Sequence, residues 1–332
     1  MELIAEVGQA HDGSLGILHS YIDAVADLGV PTIKFQTHIA DAESSVHEQF
    51  RINFSYQDKT RLDYWKRTSF SQEQWLEIKK HCDERGINFL ATPFSVAAVD
   101  LLDRIGIQRY KVGSGDINNL LMLERISVTG KPVILSSGMS SYTELENSIN
   151  FLKDRSTAIS LLQCTTKYPT APLDWGLNVI KEMKRTFSLP VGFSDHSGDI
   201  FAPLAAATLG AEIIEAHVVF SKKMFGPDTS SSLDLNQLST LHRGLNDIKT
   251  ALRHPINKSD NKQHAKNKNL FGRSLTVNRD INLGSRITLS DLESTKPAGQ
   301  GIPASDFHLA IGKLAKKTLK KGDFLTHDDF LE

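Results

Sequence analysis

Two periodicities alternate through the first part of this 332-residue chain, and that alternation restricts the fold more than any other feature. Short, almost continuous apolar runs of strand type occupy Leu3–Val7, Thr32–Gln36, Asn88–Ala91, Arg109–Val112, Pro132–Leu135, Ile159–Gln163, Pro190–Phe193 and Glu212–Glu215. Helical spacing falls between and after them, at Leu18, Ile22, Val25 and Leu28, at Trp75, Ile78 and Cys82, and at Val99, Leu102 and Ile105. It recurs at Leu145, Ile149 and Leu152 and at Leu238, Leu241, Leu245 and Ile248. Strands that are apolar on both faces and separated by helices belong to a parallel sheet covered by those helices. Eight such units in about 250 residues predict a (β/α)8 TIM barrel. An open doubly wound sheet is the alternative, weakened because no Gly-x-Gly-x-x-Gly follows the first strand.

Polar residues crowd where the strands finish: Glu6, Lys34 and Gln36, Thr92, Lys111 and Ser114, Ser136, Cys164 to Tyr168, His196 and His217. In a barrel these ends converge on one face, where chemistry is done. The stretch Val191–His196 and the triplet Glu215–His217 flank one helix-length segment, Ile200–Leu209. Consecutive strand ends are neighbours in a parallel sheet, so His196 and His217 are expected within reach of one ion. The plainer alternative is two unrelated strand-end histidines. Two imidazoles leave positions open on a divalent ion, and Mn²⁺, Fe²⁺, Co²⁺ and Zn²⁺ all accept such a set.

Lys34 and Lys111 both point into the predicted barrel mouth, where two ammonium groups repel unless an anion lies between them. Thr92, Ser114, Ser136 and Ser194 add hydroxyl donors, and the glycine turns at Gly113–Gly115 and Gly138 admit backbone N–H groups. That set suits a small ligand carrying phosphate and carboxylate. The competing structural reading pairs the lysines with Glu6, Asp116 and Glu215. Glu6, Asp116 and Asp195 are candidates for proton transfer or for orienting the histidines. Cys164 is read as a buried thiol rather than a nucleophile.

A net charge of −1 excludes a global field for nucleic acid or an anionic membrane. No apolar run approaches membrane-spanning length, and the two cysteines build no disulfide framework, so a cytoplasmic protein is expected. The long loop from Ile39 to Ser69 is read as a lid or dimer contact. The barrel is assigned to residues 1–252, a Lys-rich solvated linker to 253–275, and a small β-rich domain to 276–332. This domain carries an internal repeat: Asp280–Leu292 returns as Thr318–Phe330, each with a glycine turn, a short strand and a Thr-initiated turn closed by Asp.

These blocks together carry a resemblance. Ile4–Gly8, Lys34–Thr37, Thr92–Phe94, Lys111–Asp116, Leu135–Met139, Gln163–Thr165 with Tyr168–Pro169, Gly192–His196 and Gly226–Asp228 resemble the sialic acid synthase family, and the C-terminal repeat resembles its antifreeze-like (SAF, β-clip) domain. The resemblance implies condensation of phosphoenolpyruvate with an N-acylated mannosamine-type aldose, giving a nonulosonic acid and phosphate by C–O cleavage. It implies a divalent metal on His196 and His217, Mn²⁺ first with Mg²⁺ or Co²⁺ as alternatives. Glu6, Lys34, Lys111 and Asp116 match the catalytic set; Gln36, Thr92, Ser114, Ser136, Thr166, Tyr168, Ser194, Asp228 and Lys296 match substrate contacts. It also implies a homodimer in which the small domain covers the partner's barrel. Three positions depart from the pattern: Ala216 and Lys296 replace arginines, and Thr166 replaces a frequent asparagine. All three are assigned to the sugar side, which leaves the acceptor open among N-acetylmannosamine and legionaminic- or pseudaminic-type relatives. A synthase of keto-deoxy octulosonic or heptulosonic type would lack the small domain, and a metal-dependent hydrolase would need a further strand-end ligand.

Overall fold

The computed structural model describes residues 1–260 and 262–331, and the chain divides into two compact units, Met1–His254 and Pro255–Glu332. Asn261, in the predicted linker, and Glu332, in the predicted second domain, lie outside the described residues. In the first unit eight strands run parallel in chain order: β1 (Glu2–Gly8), β2 (Thr32–Thr37), β3 (Asn88–Pro93), β4 (Tyr110–Val112), β5 (Val133–Ser136), β6 (Ile159–Cys164), β7 (Val191–Asp195) and β8 (Ile213–Val219). β1 pairs with both β2 and β8, which closes the sheet into a TIM barrel. Every predicted run is a strand. β7 and β8 run further than apolar character indicates, because Ser194, Asp195 and Ala216 stay in the ladder between them. A short β9 (Leu233–Asp234) that the sequence did not announce pairs with the end of β8.

Helices Leu15–Asp27, Gln72–Glu84, Val96–Arg104, Leu120–Val128, Tyr142–Lys153, Leu177–Phe187, Phe201–Thr208 and Leu235–Arg253 lie among and after the strands. Ser14, Ser71, Ser95, Asn119, Ser141 and Asp234 start six of them by accepting a hydrogen bond from the backbone N–H three residues on. Strand alternation then sorts the side chains. Ala5, Ile33, Phe35, Val112, Leu135, Phe193, Ile214 and Ala216 join the cluster that includes the helices' apolar stripes. Ile4, Leu90, Ile134, Leu162 and Ile213 form a separate buried cluster drawn from five strands, the apolar floor of the barrel. Two residues further along those strands, about 6–7 Å higher, come Glu6, Thr92, Ser136, Cys164 and Glu215. Gly192 makes the floor possible: a Cβ there would lie 2.3 Å from the Ile213 carbonyl oxygen and 2.6 Å from Leu162 Cδ2.

The second unit has its own core of Leu275, Val277, Ile281, Ile287, Ile302, Ala310, Ala315, Leu319 and Leu325. Strand Ser274–Val277 pairs antiparallel with Leu292–Thr295, so the predicted boundary at residue 276 falls inside a strand. The predicted linker holds a helix, Ala265–Phe271, with no buried residue; lacking an apolar stripe, it gave no periodic signal. The repeat is structural as well as sequential. Thr288 with Asp291 and Thr326 with Asp329 close identical capping boxes, and both aspartates are buried. Ile281 of one copy bridges Leu319 of the other.

Candidate active site

The carboxyl ends of the strands open on a cavity of about 590 Å³. Fifteen of its lining residues hold polar or charged side chains noted from the sequence or beside them: Glu6, Lys34, Gln36, Thr92, Lys111, Ser114, Asp116, Ser136, Thr166, Tyr168, Ser194, His196, Glu215, His217 and Asp228. Lys296 belongs to the C-terminal unit, where its Nζ lies 5.4 Å from the centre of the Phe271 ring. Asp195 does not line the cavity. β7 alternation turns it to the outer side with Ala216, and it accepts a hydrogen bond from Ser197 Oγ at 2.7 Å, so it neither orients a histidine nor faces the lumen. Burial pushes its carboxyl up to about 6. Ala216 is likewise buried in the outer cluster, so the missing arginine at that position leaves no gap in the cavity wall, and its assignment to the sugar side is corrected.

Glu215 is the residue that sequence reasoning undervalued. Its Oε1 lies 3.8 Å from both Lys34 Nζ and Lys111 Nζ and accepts from Ser194 Oγ at 3.1 Å. The structural pairing of the lysines is therefore present, with Glu6 and Glu215 but not with Asp116, whose Oδ1 accepts from Asn119. The pairing is uneven. Lys34 Nζ sits 2.7 Å from Glu6 Oε2 and donates to Thr92 Oγ1 at 3.1 Å. Burial acts to strip its proton, but Glu215 and Glu6 outweigh burial and hold the ammonium above the usual lysine range. Lys111 donates instead to neutral acceptors, Ser136 Oγ at 2.6 Å and the Val112 carbonyl at 3.2 Å. Desolvation prevails there and lowers its proton affinity despite Glu215. Glu215 feels burial too, yet Lys111, Lys34 and His217 keep its carboxylate below the usual range. Among the described residues its Oε2 finds no hydrogen-bond partner, nor does Oγ1 of Thr166. Lys111 is thus the less tightly paired of the two lysines, with Glu215 at 3.8 Å as its carboxylate and neutral oxygens as its hydrogen-bond partners.

His196 and His217 face each other with ring centres 5.4 Å apart. The Thr165 carbonyl, 3.0 Å from His196 Nδ1, can only accept, so Nδ1 carries the hydrogen and the lone pair resides on Nε2. Burial, reinforced by His217, pulls the His196 imidazolium down to about 4, leaving the neutral, ligating form at neutral pH. This donor set fits a divalent ion: two imidazoles, one of them fixed through its far nitrogen by a backbone carbonyl. No group of three or more His, Cys, Asp or Glu side chains with metal-holding geometry occurs among the described residues, so further positions would fall to small molecules. Burial raises the Cys164 thiol to about 11, in keeping with an inert packing role. Gly138 is held small by the site, because a Cβ there would come within 2.4 Å of Thr166 Oγ1 and 2.7 Å of Ser114 Oγ.

The long loop after β2 forms one wall. Its helices Ala40–Glu43 and Arg61–Thr68 trap a small core of Ala40, Tyr64 and Trp65 with Phe50 and Phe54. From this wall come His38, Glu43, Glu48, Arg51, Arg61 and Trp65, none of which strand-end reasoning selected. Arg51 donates to Asp228 Oδ1 at 2.7 Å and lies 4.1 Å over the Tyr168 ring, tying the wall to two predicted sugar contacts.

Comparison with known proteins gives the same picture from another direction. The NeuB family profile matches residues 21–257, and the SAF domain profile matches residues 272–331. The chain is 33% identical to an N,N'-diacetyllegionaminic acid synthase of Campylobacter jejuni over 97% of its own length and 98% of that protein's. It is 30% identical to the human N-acetylneuraminate-9-phosphate synthase, covering 98% of this chain and 91% of the human one. The crystal structure of an N-acetylneuraminic acid synthetase from Leptospira borgpetersenii, in complex with citrate, superposes with a TM-score of 0.71 at 31% identity over 80% of this chain and 89% of that one. A barrel with this polar mouth, matched by profile over most of its length and by relatives along nearly all of it, belongs to the NeuB family of nonulosonic acid synthases and carries a C-terminal SAF domain.

Proposed function

We propose that the protein condenses phosphoenolpyruvate with an N-acylated mannosamine-type aldose to give a nonulosonic acid and phosphate. The observation that carries this reading is the pair of buried lysines, Lys34 and Lys111, both 3.8 Å from Glu215, gathered beside two imidazoles. A compact ligand bearing phosphate and carboxylate would give Lys111 a closer anion than Glu215, with hydroxyls of Thr92, Ser114 and Ser136 donating to it and that of Ser194 joining them on turning from Glu215. Carbon 3 of the enol attacks the aldehyde carbon of the sugar, forming the new C–C bond. Water then adds at carbon 2, and phosphate departs with cleavage of the C–O bond. Glu6, whose Oε2 lies 2.7 Å from Lys34 Nζ, is assigned to move the proton of that water, and Asp116, whose carboxyl burial raises above the usual range, is assigned to the sugar. A divalent ion held by His196 and His217, Mn²⁺ in the first instance and Mg²⁺ or Co²⁺ otherwise, supplies Lewis-acid polarisation of an aldehyde oxygen when bound.

Tyr168, Thr166, Gln36 and Asp228 also line the cavity and are assigned to the acceptor, and Lys296 is assigned to it from a partner chain in a homodimer. The acceptor is an N-acyl hexosamine of mannosamine type, with legionaminic and pseudaminic precursors as its alternatives; the Campylobacter relative's name favours a diacetylated sugar. The buried, unpaired thiols of Cys82 and Cys164 suit a reducing cytoplasm. The test is phosphate release from phosphoenolpyruvate with a panel of N-acyl hexosamines, with and without Mn²⁺. Release that depends on both sugar and metal is the expected result; no release with any amino-sugar acceptor overturns the reading.

A further inference from the structure

One buried ion pair beside the chamber has no part in the chemistry described so far. Gln36 on β2 donates from Nε2 to Glu6 Oε1 at 3.0 Å. A primary amide can sit in its pocket either way round, and the reversed orientation would aim a carbonyl oxygen at the carboxylate. Something must therefore fix the amide, and it is found on the far side of Gln36. His38 Nε2 lies 3.2 Å from Gln36 Oε1, and Gln9 Nε2 approaches the same oxygen at 3.4 Å. An amide oxygen only accepts, so His38 Nε2 carries the hydrogen. His38 Nδ1 in turn lies 2.5 Å from Glu43 Oε1, while Glu43 Oε2 accepts the Ile39 backbone N–H at 3.3 Å. Both ring nitrogens face acceptors, so the ring and the carboxylate hold a proton between them.

The ring is also locked in place. Trp65 from the long loop stacks on one face at 3.7 Å and 15°, and Phe94 beyond β3 on the other at 4.4 Å and 13°. The side chains of His38 and Glu43 are only 4% and 6% exposed. Burying an ion pair is costly, and replacing one by apolar residues is often neutral or better, so such a pair calls for a role beyond packing.

We propose that the Glu43–His38 pair is a positioning device that fixes the amide of Gln36 and, through it, the carboxylate of Glu6, so that Oε2 beside Lys34 is the oxygen left for reaction. This rests on the role given to Glu6 in the function proposed above. Two substitutions separate positioning from packing. His38→Phe keeps an aromatic ring between Trp65 and Phe94 and loses both donors. His38→Gln loses the ring and can return an N–H near the position of Nε2. Positioning predicts that H38F lowers kcat about a hundredfold with little change in KM for phosphoenolpyruvate, while H38Q stays within about tenfold of the parent enzyme. The reverse order, with H38F the better enzyme, overturns the proposal, since it would mean that only the stacked ring matters. A second measurement does not depend on turnover. In ¹⁵N-histidine NMR spectra of the unsubstituted protein, with His38 assigned by its loss in H38F, Nε2 is expected to be protonated at neutral pH. A bare Nε2 overturns the relay even if condensation is confirmed. A parent enzyme with no condensing activity but a protonated Nε2 would instead fail the functional reading and leave the hydrogen-bond relay standing.

Discussion

His11 shows how a single buried side chain ties the site's surroundings to pH. Its Nδ1 accepts the Gly13 backbone N–H at 3.0 Å, so the ring must be neutral there, and it packs 4.9 Å from the Phe70 ring. Burial, with the His38 charge second, depresses its folded value to about 3 from 6.5. A histidine that is depressed in the fold is protonated first in the unfolded chain, so stability is full above pH 6.5 and falls as pH drops toward 3. The loss amounts to about 2 kcal/mol by pH 5. His11→Asn, whose amide oxygen can accept the same N–H, is expected to flatten that decline in denaturant titrations between pH 7 and 5; an unchanged slope would exclude His11 as its source. At this scale the sequence was legible wherever a side chain's direction follows from its strand. Glu6, Lys34, Thr92, Lys111 and Ser136 were found because strand ends converge. Glu215 was legible in principle, since it lies two residues from His217 and alternation puts both on one face. The same alternation turns Ala216 and Asp195 outward, and neglecting it placed them wrongly. His38, Glu43 and Arg51 were not legible, because their approach to the chamber depends on how a long loop folds back.

At the scale of elements, strand period and helix period were strong enough to locate all eight barrel strands, whereas their polar ends, the two-residue β9 and the fully exposed helix Ala265–Phe271 carried too little apolar pattern to be seen. Closing the ring makes a demand that periodicity does not express. β6, β7 and β8 approach so closely at the floor that position 192 tolerates no Cβ: the contacts at 2.3 Å and 2.6 Å are with a backbone oxygen and a buried leucine, neither of which can move aside cheaply. Gly192→Ala is therefore expected to cost about 3 kcal/mol or more, the upper range for overpacking a core. Thermal unfolding followed by circular dichroism checks this, and a Tm within a degree or two of the parent's would show that the floor yields.

At the scale of the molecule, the two units have separate cores and separate internal logic, one built from eight repeats of strand and helix, the other from two copies of a capped turn. If the small domain serves the acceptor side, removing residues 276–332 should raise KM for the sugar at least tenfold while KM for phosphoenolpyruvate changes little. Equal changes in both, in a truncated chain that still shows the barrel's circular dichroism, would rule that service out. The apolar floor has a further consequence. Ile4, Leu90, Ile134, Leu162 and Ile213 close the chamber from below, two residues beneath Glu6, Thr92, Ser136, Cys164 and Glu215 on the same strands. A ligand held by Lys34 and Lys111 therefore rests over that floor, and the amino end of the barrel offers it no way through.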